Sequence, residues 1–250
     1  MYINDTHILV YVIIGLVGIL VGQFIDWCNR RMPNYKKVFS KDFFTEYFKN
    51  FKPNYILINV TLVMFLGLVY FFGLSVDLFK YLFLIPMLII AFYIDYKFQI
   101  IPNRLTLTMF ETGLVFTFIQ VISNTSLGMN VLINNLLGMV VGGGIFLLIT
   151  IIGGFIAGKE AMGFGDVKLM GALGLFLGWP SIIIVAVISF LLAAIISIGI
   201  LIVKKKGTNE YIPFGPFIVA STLIVIFMPF DLLLTIILKI FTLGTFKGKI

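Results

Sequence analysis

The chain of 250 residues has one cysteine, Cys28, and one histidine, His7. A single cysteine excludes an internal disulfide and a multi-cysteine zinc site of the usual kind. The lone histidine sits near the N-terminus, so a His-based metal or catalytic site is not expected. Charge is also scarce, at 12% of residues, where a soluble domain carries about 25%. That scarcity argues against a disordered chain, a disulfide-rich secreted module and a soluble two-domain enzyme. What the chain has instead is apolar residues, 60% of the total, with 27 phenylalanines among them. This is the composition of an all-α integral membrane protein that threads the bilayer repeatedly. The net charge of +7 then reads as orientation signal, because Lys and Arg collect in cytoplasmic loops. It does not call for a nucleic-acid partner. Any chemistry must come from carboxylates, amides and backbone.

A helix needs about 20 apolar residues to cross about 30 Å of hydrocarbon. Candidate spans run over 8–25, 55–72, 81–94, 105–122, 131–156, 182–203 and 212–228. A shorter one covers 167–177 and is broken by Gly178-Trp179-Pro180, giving about eight transmembrane helices. The tail, 232–243, is too short to span; it lies at the interface or extends the last helix past Pro229. The first span is not expected to be a cleaved signal, since acidic Asp5 precedes it and the basic cluster follows it. That cluster (Arg30, Arg31, Lys36, Lys37, Lys41, Lys49, Lys52) is expected in the cytoplasm, with the N-terminus outside. Alternating the spans puts 95–104, 159–168 and 204–206 inside as well, so most of the 18 basic residues fall on one side. Lys80 falls in an outside loop.

The segment 29–54 is polar, basic and aromatic. Phe39, Phe43, Phe44, Tyr47, Phe48 and Phe51 recur at roughly helical spacing, which reads as an amphipathic helix on an anionic leaflet or as a docking surface. Gly18 with Gly22, and Gly138 with Gly142, are Gly-x-x-x-Gly pairs of the kind that pack helices in bilayers. Asn124-Thr125-Ser126 fits a glycosylation pattern, with nothing else to suggest a eukaryotic secretory setting.

Only 11 residues are acidic. Most lie in loops or at helix ends. Glu111 lies inside the fourth span, where a carboxylate is functional by default or else pairs with a neighbour such as Thr108. Asp95 closes the third span and Asp166 opens the sixth. Two spans separate them, so both face the cytoplasm at membrane-edge depth. Alone, each reads as a helix cap. Their contexts say more: Gly163 and Gly165 flank Phe164 just before Asp166, giving a backbone free to take unusual angles, with Asp166 as N-cap. Pro102 can open the fourth helix.

At these residues the chain resembles the type IV prepilin peptidases, membrane aspartic proteases that trim prepilin leaders. The resemblance rests on GLVGILVGQFIDWCNRRMP, on Asp95 with Ile101-Pro102-Asn103, on Gly163-Phe164-Gly165-Asp166-Val167-Lys168, and on Ile212-Pro213-Phe214-Gly215-Pro216-Phe217. It implies that Asp95 and Asp166 are catalytic and that Gly163, Gly165, Lys168, Pro102 and Asn103 bind substrate or support them. Lys168 would tune the pair or hold substrate carbonyls; it can equally snorkel to lipid phosphate. The resemblance further implies prepilin or pseudopilin substrates cut after Gly, in the cytoplasmic membrane of a bacterium. It divides the chain into 1–54, the first helix with a reduced counterpart of the methyltransferase region, and 55–250, the peptidase.

Many relatives carry two Cys-x-x-Cys pairs in the first cytoplasmic loop, thought to bind zinc, and methylate the new N-terminus. This loop has none, so no metal is expected, and S-adenosylmethionine enters only if methylation is retained. The peptidase chemistry implied needs no cofactor. Two neighbouring carboxyls share a proton; one activates water while the other hydrogen-bonds the scissile carbonyl. A helix start favours negative charge and a helix end disfavours it, so Asp166 is expected to be the base and Asp95 the acid. The alternatives are another Gly-x-Gly-Asp membrane protease, such as a preflagellin peptidase, or a small polytopic transporter. Against the latter, the acids gather at one membrane face and no inverted repeat is visible.

Overall fold

The structure is a computed structural model that describes residues 2–4, 6–38, 52–123, 127–157, 162–204 and 212–242. The aromatic stretch 39–51, the sequon 124–126, Lys159, Lys205, Lys206 and the end of the tail, 243–250, lie outside the described residues.

The described residues form an all-α protein. Its helices are α1 (Ile8–Arg31), α2 (Tyr55–Phe72), α3 (Val76–Phe98), α4 (Asn103–Ser123), α5 (Gly128–Ala157), α6 (Phe164–Leu177), α7 (Trp179–Lys204), α8 (Gly215–Phe227) and α9 (Phe230–Phe241). One short antiparallel pair, β1 (Tyr2–Ile3) with β2 (Thr6–His7), precedes them. Six helices (α1 to α5 and α7) are long and apolar enough to cross a membrane. With α6 and α8 they account for the eight segments expected. The tail forms a helix of its own: Met228 is extended and Pro229 caps α9. Asp231, Thr235 and Lys239 recur every four residues along α9, leaving it a polar stripe.

The chain folds as two compact units, 1–112 and 113–250, divided within α4. In the first, α1 carries Gly15, Gly18 and Gly22 on one face. A Cβ at Gly22 would lie 2.7 Å from the Ile58 backbone, and one at Gly18 would lie 3.3 Å from that of Leu62. The glycines therefore let the backbones of α1 and α2 approach closely, as the Gly-x-x-x-Gly reading expects. The Thr61 hydroxyl, in reach of the carbonyls of Gly18 (2.9 Å) and Leu57 (2.7 Å), ties the seam.

The direction of packing follows. Gln23 and Asp26, late in α1, bond to Asn54 at the start of α2. Asn4, before α1, donates to the Tyr70 carbonyl near the end of α2 (2.6 Å). The two helices are antiparallel. Gly73, at φ 54°, and the Ser75 cap turn the chain directly into α3. The ends of α1 and α3 and the start of α2 thus share one end of this unit. Phe65, Leu68, Leu78, Leu84, Ile85, Leu88 and Ile94 fill its core.

Lys80 differs from expectation. The Ser75 cap starts α3 well before the apolar run, so Lys80 lies within the helix rather than in a loop. It is buried, 2.7 Å from Asp77 and over the Tyr81 ring.

In the second unit α5 and α6 pack backbone to backbone. A Cβ on Gly174 would collide with the backbone of Gly138, and one on Gly142 would lie 2.6 Å from the Met170 carbonyl oxygen. Gly178, at φ 77°, ends α6 and lets α7 begin at once. The Pro213–Pro216 turn sets Phe214 and Phe217 beside Phe146 and Phe190, with neighbouring centroids 5.0 to 5.9 Å apart. Below them the hydroxyls of Ser189 and Ser221 meet at 2.5 Å.

Candidate active site

Asp95 lies in the last turn of α3, at the end of the first unit shared with the close of α1. It is only 5% exposed. Its backbone carbonyl accepts from Gln99 N–H (2.9 Å), and Gln99 adopts the left-handed conformation, φ 56° and ψ 35°. That conformation is uncommon outside glycine and stops the helix. Pro102 follows within three residues. Its carbonyl accepts from the N–H groups of Leu105 and Thr106. Pro102 therefore immediately precedes α4, which begins at Asn103, instead of standing in its first turn. Asn103 is exposed, and its carbonyl accepts from the Thr106 hydroxyl (3.0 Å). The short connection between α3 and α4 is thus closed at both ends by backbone geometry, and Asp95 is held just above it.

Asp166 lies in the second unit, 4% exposed. It is not the N-cap. Gly163 holds that place, extended at φ −66° and ψ 136°, and makes no side-chain cap. Asp166 is in the first turn of α6, its N–H donating to the Gly163 carbonyl (3.0 Å). The shift arises because Phe164 and Gly165 already adopt helical geometry. Neither Gly163 nor Gly165 takes a positive φ; among the described residues only Gly73 and Gly178 do so among glycines. Lys168 is exposed, its ammonium 5.2 Å from the centre of the Phe164 ring.

Each unit therefore buries an aspartate in a helix-terminal turn. A carboxylate is almost never fully buried without a role or a partner. At the start of α6 the unpaired N–H groups and the positive end of the dipole suit an anion; at the end of α3 the dipole points the other way. Glu111 does not share this setting. It sits on the exposed face of α4, and Thr108 donates to the Arg104 carbonyl (2.8 Å), so neither the bundle-facing nor the Thr108-paired reading holds. Among the described residues no group of three or more His, Cys, Asp or Glu comes together that could hold a metal ion.

Sequence reasoning missed one buried polar group. At the end of α1, Gln23, Asp26, Asn29 and Arg31 are all at most 9% exposed. The three-residue step from Asp26 to Asn29 put them on one helical face, but which face turned inward was settled only by the packing of α2.

The described residues thus give a polytopic helical protein with long apolar helices and an aspartate buried in each unit. Residues 82–198 match the model of the Type IV leader peptidase family. The prepilin leader peptidase/N-methyltransferase of Aeromonas hydrophila is 33% identical over 126 residues, half of this chain and 41% of that protein. The one from Legionella pneumophila is 32% identical over 169 residues, 68% of this chain and 56% of that protein. The leader peptidase HopD of Escherichia coli is 31% identical over 140 residues, 55% of this chain and 84% of HopD. The chain belongs to the type IV leader peptidase family. The matches span about half the length of the first relatives. No solved structure matches it.

Proposed function

We propose that the protein is a prepilin leader peptidase, cutting the short basic leader from type IV pilin-like precursors after Gly at the cytoplasmic membrane face. The observation that carries this reading is the pair of buried helix-terminal aspartates, Asp95 and Asp166, in a chain of this family. Asp166, in the first turn of α6, is the ionised base and takes a proton from water. Asp95, in the last turn of α3, is the protonated acid and hydrogen-bonds the scissile carbonyl. Water adds to the carbonyl carbon, a tetrahedral intermediate forms, and the leaving amine takes up a proton as the C–N bond breaks. Pro102 and Asn103 support Asp95 by fixing the start of α4; Gly163 and Gly165 support Asp166 by admitting the tight entry to α6. Lys168 holds substrate carbonyls in this reading.

In this reading 55–250 is the peptidase and 1–54 the reduced counterpart of the methyltransferase region. The N-terminus is outside and both aspartates face the cytoplasm of a bacterium. The relatives from Aeromonas and Legionella are named N-methyltransferases as well. Transfer of a methyl group from S-adenosylmethionine to the new N-terminus is therefore the second activity to measure.

The test incubates the purified protein in lipid nanodiscs with a prepilin and weighs the product by mass spectrometry. Loss of the leader at Gly is the expected result, and an intact precursor would refute the reading. A mass increase of one methyl on adding S-adenosylmethionine would report the second activity separately.

A further inference from the structure

The buried polar cluster at the end of α1 is satisfied at every charge and left open at one amide. The Asp26 carboxylate receives Asn54 Nδ2 (2.9 Å) and pairs with Arg30 (2.6 Å). Gln23 donates to the Lys52 carbonyl (3.1 Å) and accepts from Asn54 N–H (3.1 Å). Arg31 donates to the Lys37 carbonyl (2.9 Å) and stacks its guanidinium over Trp27 (4.6 Å). Asn29, 3% exposed, has no hydrogen-bond partner at either Oδ1 or Nδ2 among the described residues.

Its place in the fold explains this. At helical spacing Asn29 continues the face of Gly15, Gly18 and Gly22 that holds α2. But α2 begins beside Asp26, where Asn54 caps it. One turn further, at Asn29, α1 has run past its partner helix. The amide is thus turned inward at the end of the first unit that also carries Asp95.

An orphan amide in a buried site is destabilising and calls for an explanation. The Asp26 charge is already met by Arg30, and the Arg31 guanidinium is engaged by the Lys37 carbonyl and the Trp27 ring. What remains is one neutral acceptor beside a neutral donor, which complements the N–H and C=O of a peptide backbone. We infer that Asn29 is a substrate-binding residue, whose carboxamide grips the backbone of the peptide presented to Asp95. This rests on the peptidase reading above and gives a role to a residue of the opening-helix stretch that the reading left without one.

The test compares Asn29→Leu with the unsubstituted chain, in an Asp166→Asn background for binding and in the active protein for turnover. Leu keeps the branch at Cγ and removes both polar atoms. The thermal midpoint without substrate is expected to stay level or rise, because an unmet polar pair leaves the interior. Affinity for a fluorescent prepilin N-terminal peptide is expected to fall roughly tenfold, the scale of two lost hydrogen bonds. In turnover the loss should appear in KM more than in kcat, and Asn29→Gln should recover part of it. Unchanged affinity overturns the inference. A lowered midpoint also overturns it, since it marks an amide already satisfied within the protein, by internal water for example. If the unsubstituted protein leaves prepilin uncut, the peptidase reading has failed; if it cuts and Asn29→Leu binds normally, only this inference has.

Discussion

Asp95 and Glu111 are both carboxylates in the first unit, and their settings separate their roles. Asp95 is buried in the turn that closes α3, whereas Glu111 lies on an exposed face of α4. Glu111→Gln is therefore expected to keep cleavage within about twofold of wild type, the scale of a surface change. A loss beyond tenfold in a prepilin assay would place a third carboxylate in the chemistry. The proposed water activation runs on carboxyl groups alone, so cleavage should also survive saturating EDTA or 1,10-phenanthroline. Activity lost in chelator and restored by zinc would contradict that. At this scale the sequence was informative for the helix-terminal positions of Asp95 and Asp166, because Pro and Gly near a helix end leave a local trace. Asn29 left none. Whether an amide is satisfied depends on where another helix begins, and nothing in the residues around it encodes that.

At the scale of elements, α6 owes its position to glycine. Its Gly174 meets the backbone of Gly138 on α5, whereas Gly144 has nothing within 4 Å of its would-be Cβ. Gly174→Val should therefore push α6 from α5 at a cost of about 1–3 kcal/mol, lowering the thermal midpoint and displacing Asp166. Gly144→Ala should be neutral or slightly stabilising, since Ala favours helix over Gly. Equal midpoints for the two variants would show that the α5–α6 seam does not bear on stability. The Gly138–Gly142 spacing was visible in the sequence; its partner surface on α6 was not, because that face is set by the turn at Gly178. Hydrophobic run length located the helices well and their starts poorly. Lys80 shows why: a Ser75 cap, not the first apolar residue, begins α3.

For the whole molecule the asymmetry of Lys and Arg sets the proposed topology, with the start of α1 outside and its end in the cytoplasm. Alkaline phosphatase fused after residue 54 should be inactive, and fused after residue 74 active, since the enzyme folds only outside. The reverse pattern would turn the protein over and put Asp95 on the wrong face for a cytoplasmic leader. The central claim is that one aspartate from each compact unit is needed for peptide cleavage. The most direct measurement is the single-turnover rate of prepilin cleavage by the wild type, Asp95→Asn and Asp166→Asn, each purified in nanodiscs and shown to keep its thermal midpoint. Removal of a general acid or base typically costs about 10²–10⁴-fold, so each variant should fall at least a hundredfold. A folded variant that keeps more than about a tenth of the wild-type rate would contradict the two-aspartate account.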